Sequence, residues 1–270
     1  MKTHNTLSDN LKSLFAAVVI PLEITLAILV YVFVLGNPEN FQGSDPANHP
    51  LPGNYLGIVY KGGYIVPVLI SLLMMVLTFG IERILTISRA KGKGNVKSFV
   101  QKVRSHLSNN NVNQALAECD QQKGSVANVV RAGLTKYCEL SKANGIESEK
   151  KVIMIQKDIE ETTQLEMPML EKNLVIIATI ASIATLLGLL GTVLGMIKAF
   201  AALATAGAPD AVALANGISE ALINTALGIG TSAIAIILYN YFTSKIDALT
   251  YGIDEAAYSI IQNFTAHTKN

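Results

Sequence analysis

Two apolar stretches of this 270-residue chain carry hydroxyls and a carboxylate where lipid-facing helices carry neither. Between residues 174 and 203, small side chains recur as Ala178, Ala181, Thr185, Gly188, Thr192, Gly195 and Ala199. Between 217 and 242 the same steps of three and four join Ala221, Thr225, Gly228, Ser232 and Ala235, with Glu220, Asn224 and Thr231 beside them. Such steps hold to one helix face. A hydroxyl both donates and accepts, so a face of this kind can order a water chain. Threonine does not titrate near neutral pH, whereas Glu220 can hold a proton. An ionised carboxylate within a span costs at least ~2.5 kcal/mol unless it meets water or a partner. Asn224 lies one turn further in, at i+4, so the pair predicts a surface facing an interior or a wet cavity. Close packing alone explains the glycines and alanines, because small residues let helix backbones approach. Glu220 and Asn224 favour a shared axis over a packing seam. The candidate path is therefore Thr192, Thr225, Glu220, Asn224, Thr185 and Ser232. Glu220 sits only about a turn inside the outer end of its helix, and neither span supplies a deeper acid. Either Glu220 suffices for an ion-driven cycle, or a partner brings the missing carboxylate.

Other chemistry finds no support. Cys119 and Cys138 are the only cysteines and lack CxxC spacing, so they read as plain thiols. His4, His49, His106 and His267 are scattered and build no ligand set. No Gly-rich phosphate loop, HExxH or GxSxG occurs, which predicts a non-enzyme without cofactor or metal. Lys+Arg number 21 against 20 Asp+Glu, so no net field marks a nucleic-acid partner. Charged residues make up 15% and hydrophobic residues 50%, against roughly 25% charged in soluble domains. With the apolar residues gathered into runs, an ordinary soluble enzyme, a disordered chain and a disulfide scaffold are excluded.

Four runs reach the roughly 20 residues that a spanning helix needs at about 1.5 Å each: 14–35, 64–81, 174–203 and 217–242. The first follows Lys2 and Lys12 and resembles a secretory leader. Its apolar run is too long for one and no small-x-small cleavage site follows, so it reads as a retained anchor, kinked at Pro21. Fifteen of the 21 basic residues lie between Arg83 and Lys172, against Lys61 alone in 36–63 and none in 207–216. The positive-inside rule then places the large segment and both termini in the cytoplasm.

The expectation is an all-α membrane protein with four transmembrane helices and long helices extending into the cytoplasm. Residues 1–35 form a cytoplasmic N-terminus and an additional span, and 36–63 a periplasmic loop. Spans follow at 64–82, 174–204 and 217–242, with a cytoplasmic helical domain at 83–173. A periplasmic turn occupies 205–216 and a cytoplasmic C-terminal helix 243–270. The outward loop, with Pro38, Pro46, Pro50 and Pro52, reads as irregular chain without a core. In the cytoplasmic domain Val96, Phe99, Val100, Val103 and Leu107 form one apolar stripe, and Val152, Ile155, Ile159 and Leu165 another. Gly124, Gly133 and Gly145 punctuate the chain between them. The second of these helices is expected to run on into the third span, bent at Pro168.

The stretch LLGLLGTVLG at 186–195, followed by MIKAF at 196–200, resembles the signature of the ExbB/TolQ/MotA family. So does 217–242, which opens GISEALINTALGIG and ends YNYF. The likeness is nearest to the ExbB and TolQ branches. IERILTISRA at 81–90 and ALAECDQQKGSVANVVRAGL at 115–134 are weaker echoes. The resemblance implies an inner-membrane proton-channel subunit that turns proton flow into mechanical work on a partner. It implies a homo-oligomer, a pentamer, around a central pore that holds a dimer of a single-span ExbD/TolR-like protein. The aspartate of that partner would carry the proton, and a TonB-like protein would take up the work. By position, Thr192 and Thr225 match the family's pore-lining threonines and Glu220 its pore glutamate.

Three features depart from the family. The run at 14–35 adds a fourth span and an inside start, and Glu23 within it is unexplained. Thr185 stands where many relatives have proline. Lys198 stands where others are uncharged; it reads as reaching the outer headgroups, with Asp210 as an alternative partner. A TolQ-like role in outer-membrane maintenance, a motility stator, a secondary transporter and a passive scaffold stay open. No inverted repeat or pair of broken spans supports the transporter.

Overall fold

A computed structural model describes residues 6–143, 145–204 and 210–268, with side chains between residues 15 and 267. Part of the predicted outward turn, 205–209, lies outside the described residues, as do Lys2 and His4. The helices in chain order are α1 (Thr6–Leu29), α2 (Tyr55–Tyr60), α3 (Val66–Lys91), α4 (Val96–Ser108), α5 (Val112–Gln122) and α6 (Gly124–Lys142). They continue as α7 (Ser148–Glu171), α8 (Leu174–Leu203) and α9 (Ala211–Thr268). Among the described residues the only extended pairing is an isolated bridge between Phe41 and Pro50. Four helical stretches are long and apolar enough to cross a membrane. The protein is all-α, as its sequence pattern predicts.

The helices fall into two compact units: the chain up to Gly80 with Val175–Tyr239, and Ile81–Leu174 with Asn240–Asn270. In the first, α1 passes through Pro21 without interruption, and the Thr25 hydroxyl donates to the Pro21 carbonyl at 2.8 Å. The irregularity comes later, in a π-helical turn over Val30–Leu35 closed by Gly36 N–H to Tyr31 O at 2.9 Å. Phe15 meets Phe79 of α3 edge-on, centroids 5.9 Å apart, and Tyr31 stacks on Tyr60 at 4.7 Å.

The loop at 36–63 has a core, contrary to expectation. Phe41 is 2% exposed and lies edge-on to Tyr60 at 5.4 Å. Asn40 Nδ2 donates to Val34 O and Leu35 O at 2.9 and 3.0 Å, satisfying carbonyls that a helix end leaves open. Lys61 Nζ donates to Pro46 O and Ala47 O and sits 5.6 Å over the Phe41 ring. Burial pulls the Lys61 ammonium below the ordinary lysine range, with Asp45 opposing. Prolines and glycines mark where regular structure stops; they do not report what folds around two aromatic rings.

In the second unit all five members of the Val96–Leu107 stripe are buried. Ile155 and Ile159 are buried too, but Leu165 is 76% exposed. Ten residues beyond Ile155, it falls about 80° off that face at 100° per residue. Gly133 lies inside α6 rather than at a break; a Cβ there would sit 2.7 Å from Ile159 Cγ1. A further stripe on α9 (Ile246, Leu249, Ile253, Ala256, Ile260, Phe264) is buried throughout. Tyr137 donates to Asn263 Oδ1 at 3.0 Å, and Asn263 Nδ2 donates to Leu107 O at 2.8 Å.

Gly92 and Gly124 have φ of +74° and +82° and let α3 end against the start of α6. A Cβ on Gly92 would lie 2.0 Å from Lys123 O. Helix α7 runs through Pro168 to Glu171. Arg83, 2% exposed, donates to Met169 O and Leu170 O at 3.2 and 2.9 Å, and so caps the end of α7. Its partner Glu82 also accepts from Asn173 at 3.0 Å and Thr86 at 2.8 Å.

Helix α9 begins at Ala211, ahead of the predicted start at 217, and continues as one helix where a span and a separate C-terminal helix were expected. Asp210 sets the start: its Oδ1 accepts from Val212 N and Ala213 N at 3.0 and 2.9 Å.

Candidate functional site

Helices α8 and α9 meet along their small faces within the one chain. A Cβ on Gly228 would lie 2.6 Å from Ala184 O and 2.8 Å from Gly188 Cα. On Gly195 it would lie 2.6 Å from Ala221 N, and on Gly217 2.6 Å from Ala199 N. Backbone thus touches backbone over several turns, and the glycines and alanines of both stripes serve the contact between the two helices. The expectation that the whole stripe lines a shared axis is replaced by a packed seam with hydroxyls set into it.

Thr192 and Thr225 face each other across that seam. Their hydroxyls hydrogen-bond one another directly. Thr192 Oγ1 also lies 3.2 Å from Gly188 O, and Thr225 Oγ1 lies 3.1 Å from Ala221 O. Each hydroxyl has one proton, so two arrangements are open to the pair. Thr192 donates to Thr225 while Thr225 donates to Ala221 O, or Thr225 donates to Thr192 while Thr192 donates to Gly188 O. Both residues are half-buried, leaving an edge of the pair open. A hydroxyl pair with two donor directions and an open edge can hand a proton on without ever being charged.

Toward the start of α9, Glu220 lies about 7.5 Å from Thr225 along the axis at 1.5 Å per residue. Lys198 Nζ contacts both its oxygens, at 2.6 and 2.8 Å. Lys198 was expected at the headgroups or on Asp210; it pairs with Glu220 instead, while Asp210 caps α9. The Glu220 side chain is 13% exposed and that of Lys198 52%. Gly63 backs onto the pair: with φ +75°, a Cβ there would meet Glu220 Oε1 at 2.5 Å. Lys198 also sits 5.9 Å over the Tyr64 ring. The carboxylate is therefore compensated on one side and walled by backbone on the other.

Asn224 and Ser232 are placed inside the protomer rather than on a wet surface. Asn224 is fully buried; its Nδ2 donates to Gly62 O at 2.8 Å, and its Oδ1 has no partner among the described residues. A Cβ on Gly191 would lie 2.4 Å from Asn224 Cβ, so the side chain fills the space that glycine leaves. Ser232 is 6% exposed and donates to Ala181 O. Ser232 ties α9 to α8, and Asn224 ties α9 to the turn at Gly62. Thr185 is half-buried, two turns from the threonine pair and not joined to it. Among the described residues, no group of His, Cys, Asp and Glu could hold a metal ion.

Sequence reasoning found the hydroxyls but not their pairing, nor Lys198 with Glu220, nor Gly62 and Gly63 as their backing. Helical periodicity gives the face of each helix and not the register between two of them. Gly62 and Gly63 belong to a turn, where no periodicity applies.

The profile of the MotA/TolQ/ExbB proton channel family matches residues 121–255, half of the chain, and takes in α8, Thr192, Glu220 and Thr225. The chain is 32% identical over 136 residues to the Tol-Pal system protein TolQ of Pseudomonas aeruginosa, covering 50% of this chain and 58% of that protein. It is 39% identical over 94 residues to TolQ of Haemophilus influenzae, covering 33% and 41%. It is 42% identical over 81 residues to the biopolymer transport protein ExbB of Helicobacter pylori, covering 30% and 56%. The chain thus spans less than two thirds of the length of each relative. Paired hydroxyls between two apolar helices, inside the segment that the profile matches, lead to one conclusion: the chain belongs to the MotA/TolQ/ExbB proton channel family.

Proposed function

We propose that this chain is an inner-membrane, multi-pass, ExbB-like subunit that couples proton flow to mechanical work on a TonB-like partner for outer-membrane transport. In this reading five copies surround a single-span ExbD/TolR-like dimer, whose acid exchanges its proton along the open edge of the Thr192–Thr225 pair. Glu220, paired with Lys198, places a compensated carboxylate at the mouth of that path. Ser232 joins the two helices, Asn224 holds α9 to the turn at Gly62, and Thr185, two turns from the pair, adds a separate hydroxyl on α8. The observation that carries the proposal is the direct hydroxyl-to-hydroxyl bond between Thr192 and Thr225, with both residues half-buried. A merely structural pair would be sealed, as Ser232 is.

The test is substitution at constant shape. Thr192→Val and Thr225→Val are expected to leave assembly intact and to reduce uptake driven by the proton gradient to background. Thr192→Ser, which keeps the hydroxyl, should retain most of it. Normal energised uptake in both valine variants would refute the pore role. The tight α8–α9 seam favours one second reading, a passive scaffold in which the stripes only pack. Full function of a chain combining Glu220→Gln with both valine changes would select it. A TolQ-like role in place of an ExbB-like one is decided by which uptake or envelope defect a deletion of the gene produces.

A further inference from the structure

The turn that leaves α3 gathers positive charge. Between residues 84 and 117 the chain has six Lys or Arg and no Asp or Glu. The next two acids, Glu118 and Asp120 of α5, are engaged elsewhere. Glu118 accepts from Lys102 at 3.1 Å with His106 at 3.8 Å, and Asp120 pairs with Arg131. Among the described residues, the exposed Arg89, Lys91, Lys93 and Lys123 have no ion-pair partner. The fold holds these four at one corner. Lys93 N donates to Gln122 O at 2.6 Å, and Gln122 Nε2 donates back to Lys91 O at 2.9 Å. Gln122 is buried, so this two-way clasp is shielded from water. A Cβ on Gly124 would lie 2.4 Å from Ala90 O and 2.9 Å from Arg89 O. Backbone of 89–93 thus lies directly on backbone of 122–124, which brings Lys123 to the other three cations. Like charges so placed repel, and an anion seated among them relieves that repulsion.

Position along α3 says which anion fits. Ile81, Ile84 and Leu85, in the preceding turns of the same helix, are 62%, 48% and 53% exposed, an apolar surface suited to acyl chains. From Leu85 the axis rises about 6 Å to Arg89 and about 9 Å to Lys91, at 1.5 Å per residue. The headgroup region on each side of a bilayer is roughly 5–8 Å deep. The cations therefore begin where acyl chain gives way to phosphate. A soluble phosphate would satisfy the charge but leave the adjoining apolar side chains uncovered.

We propose that the corner formed by Arg89, Lys91, Lys93 and Lys123 binds the headgroup of an anionic phospholipid, a phosphodiester of the phosphatidylglycerol type, whose acyl chains lie along Ile81, Ile84 and Leu85. The lysines supply point charges, and Arg89 supplies a planar fork that matches two phosphate oxygens. None of these residues belongs to the Thr192–Thr225 path, so the site stands without the channel reading.

Native mass spectrometry of the full-length chain, purified in detergent and titrated with phosphatidylglycerol or phosphatidylcholine, tests the site by counting retained lipid. Phosphatidylglycerol is expected to be retained about fivefold or more over phosphatidylcholine, the worth of one basic contact at an anionic surface. A variant combining Lys91→Gln, Lys93→Gln and Lys123→Gln should lose that preference. A control combining Lys142→Gln, Lys150→Gln and Lys157→Gln removes the same charge from exposed positions on α6 and α7 and should keep it. Equal retention of the two lipids, or equal loss in both variants, would overturn the proposal. So would displacement of the lipid by glycerol phosphate at the same concentration, which would assign the corner to a soluble phosphate. A second measurement needs no substitution. Phosphatidylglycerol with a photoactivatable headgroup, in vesicles holding the wild-type chain, should crosslink within residues 85–97 or 121–125, mapped by peptide mass. Crosslinks confined to other segments would refute the site.

Discussion

Cys119 shows how far a side chain's surroundings control its chemistry. It is 3% exposed, its thiol donates to Ala115 O at 3.3 Å, and burial pushes its pKa up to about 12. The thiolate is the reactive form, so even at pH 9 only roughly one molecule in a thousand is primed to react. Maleimide applied to the folded protein is expected to modify half-buried Cys138 and to spare Cys119 up to about pH 9. Peptide mapping checks this, and prompt labelling of Cys119 would mean that the core around α5 opens in the native state. Residue types and plain-thiol character were readable in the sequence; the partners of single side chains mostly were not. Asn224 was selected as a polar residue in a span, yet its donor finds the Gly62 carbonyl, far away in sequence. Glu220 was selected for its charge, and the lysine that meets it sits on another helix, at a height set by packing rather than by any local pattern.

Among elements, the α8–α9 seam makes the sharpest demand on sequence. Gly228 and Gly230 stand two residues apart on α9, yet a Cβ on Gly228 would collide with Ala184 O and Gly188, and one on Gly230 would meet nothing within 4 Å. Gly228→Ala is therefore expected to force the helices apart and cost about 1–3 kcal/mol. Gly230→Ala should be neutral or stabilising by up to about 1 kcal/mol, since alanine is the better helix former. Thermal unfolding of the two variants in the same detergent separates them; equal midpoints would mean that the seam is looser than these distances imply. Arg83 makes a comparable demand at the end of α7. Replacing it by Met removes the cation beside Glu82 and leaves two carbonyls without their donor, and should cost about 1–3 kcal/mol, read by the same melt. The four long apolar helices were plain in the sequence because length and hydropathy alone define them. The fold of the loop 36–63 was not, because Tyr60, near the end of the segment, packs on both Phe41, near its start, and Tyr31 of the preceding π-helical turn. The break between α7 and α8 at Lys172–Asn173 escaped notice for a similar reason: Asn173 is held by Glu82, a residue of α3.

For the whole molecule, charge asymmetry is the one property that orients it. Fifteen of the 21 basic residues lie between Arg83 and Lys172, and that segment has buried stripes of its own on α4 and α7 and shares a compact unit with the later part of α9. Moving so many cations across a bilayer during insertion is far less favourable than leaving them behind, whereas the loop 36–63 carries Lys61 alone. The loop should therefore face outward and the basic segment inward, with four crossings between them. Ala47→Cys, exposed on the loop, is expected to react with a membrane-impermeant maleimide in sealed spheroplasts of an expression host. Ser98→Cys, exposed on α4, should react only once the membrane is opened. Native Cys138 serves as the internal control and should follow Ser98→Cys. Labelling of Ser98→Cys in sealed spheroplasts would put the basic segment outside, and would also reverse the direction in which the Thr192–Thr225 pair meets the proton gradient.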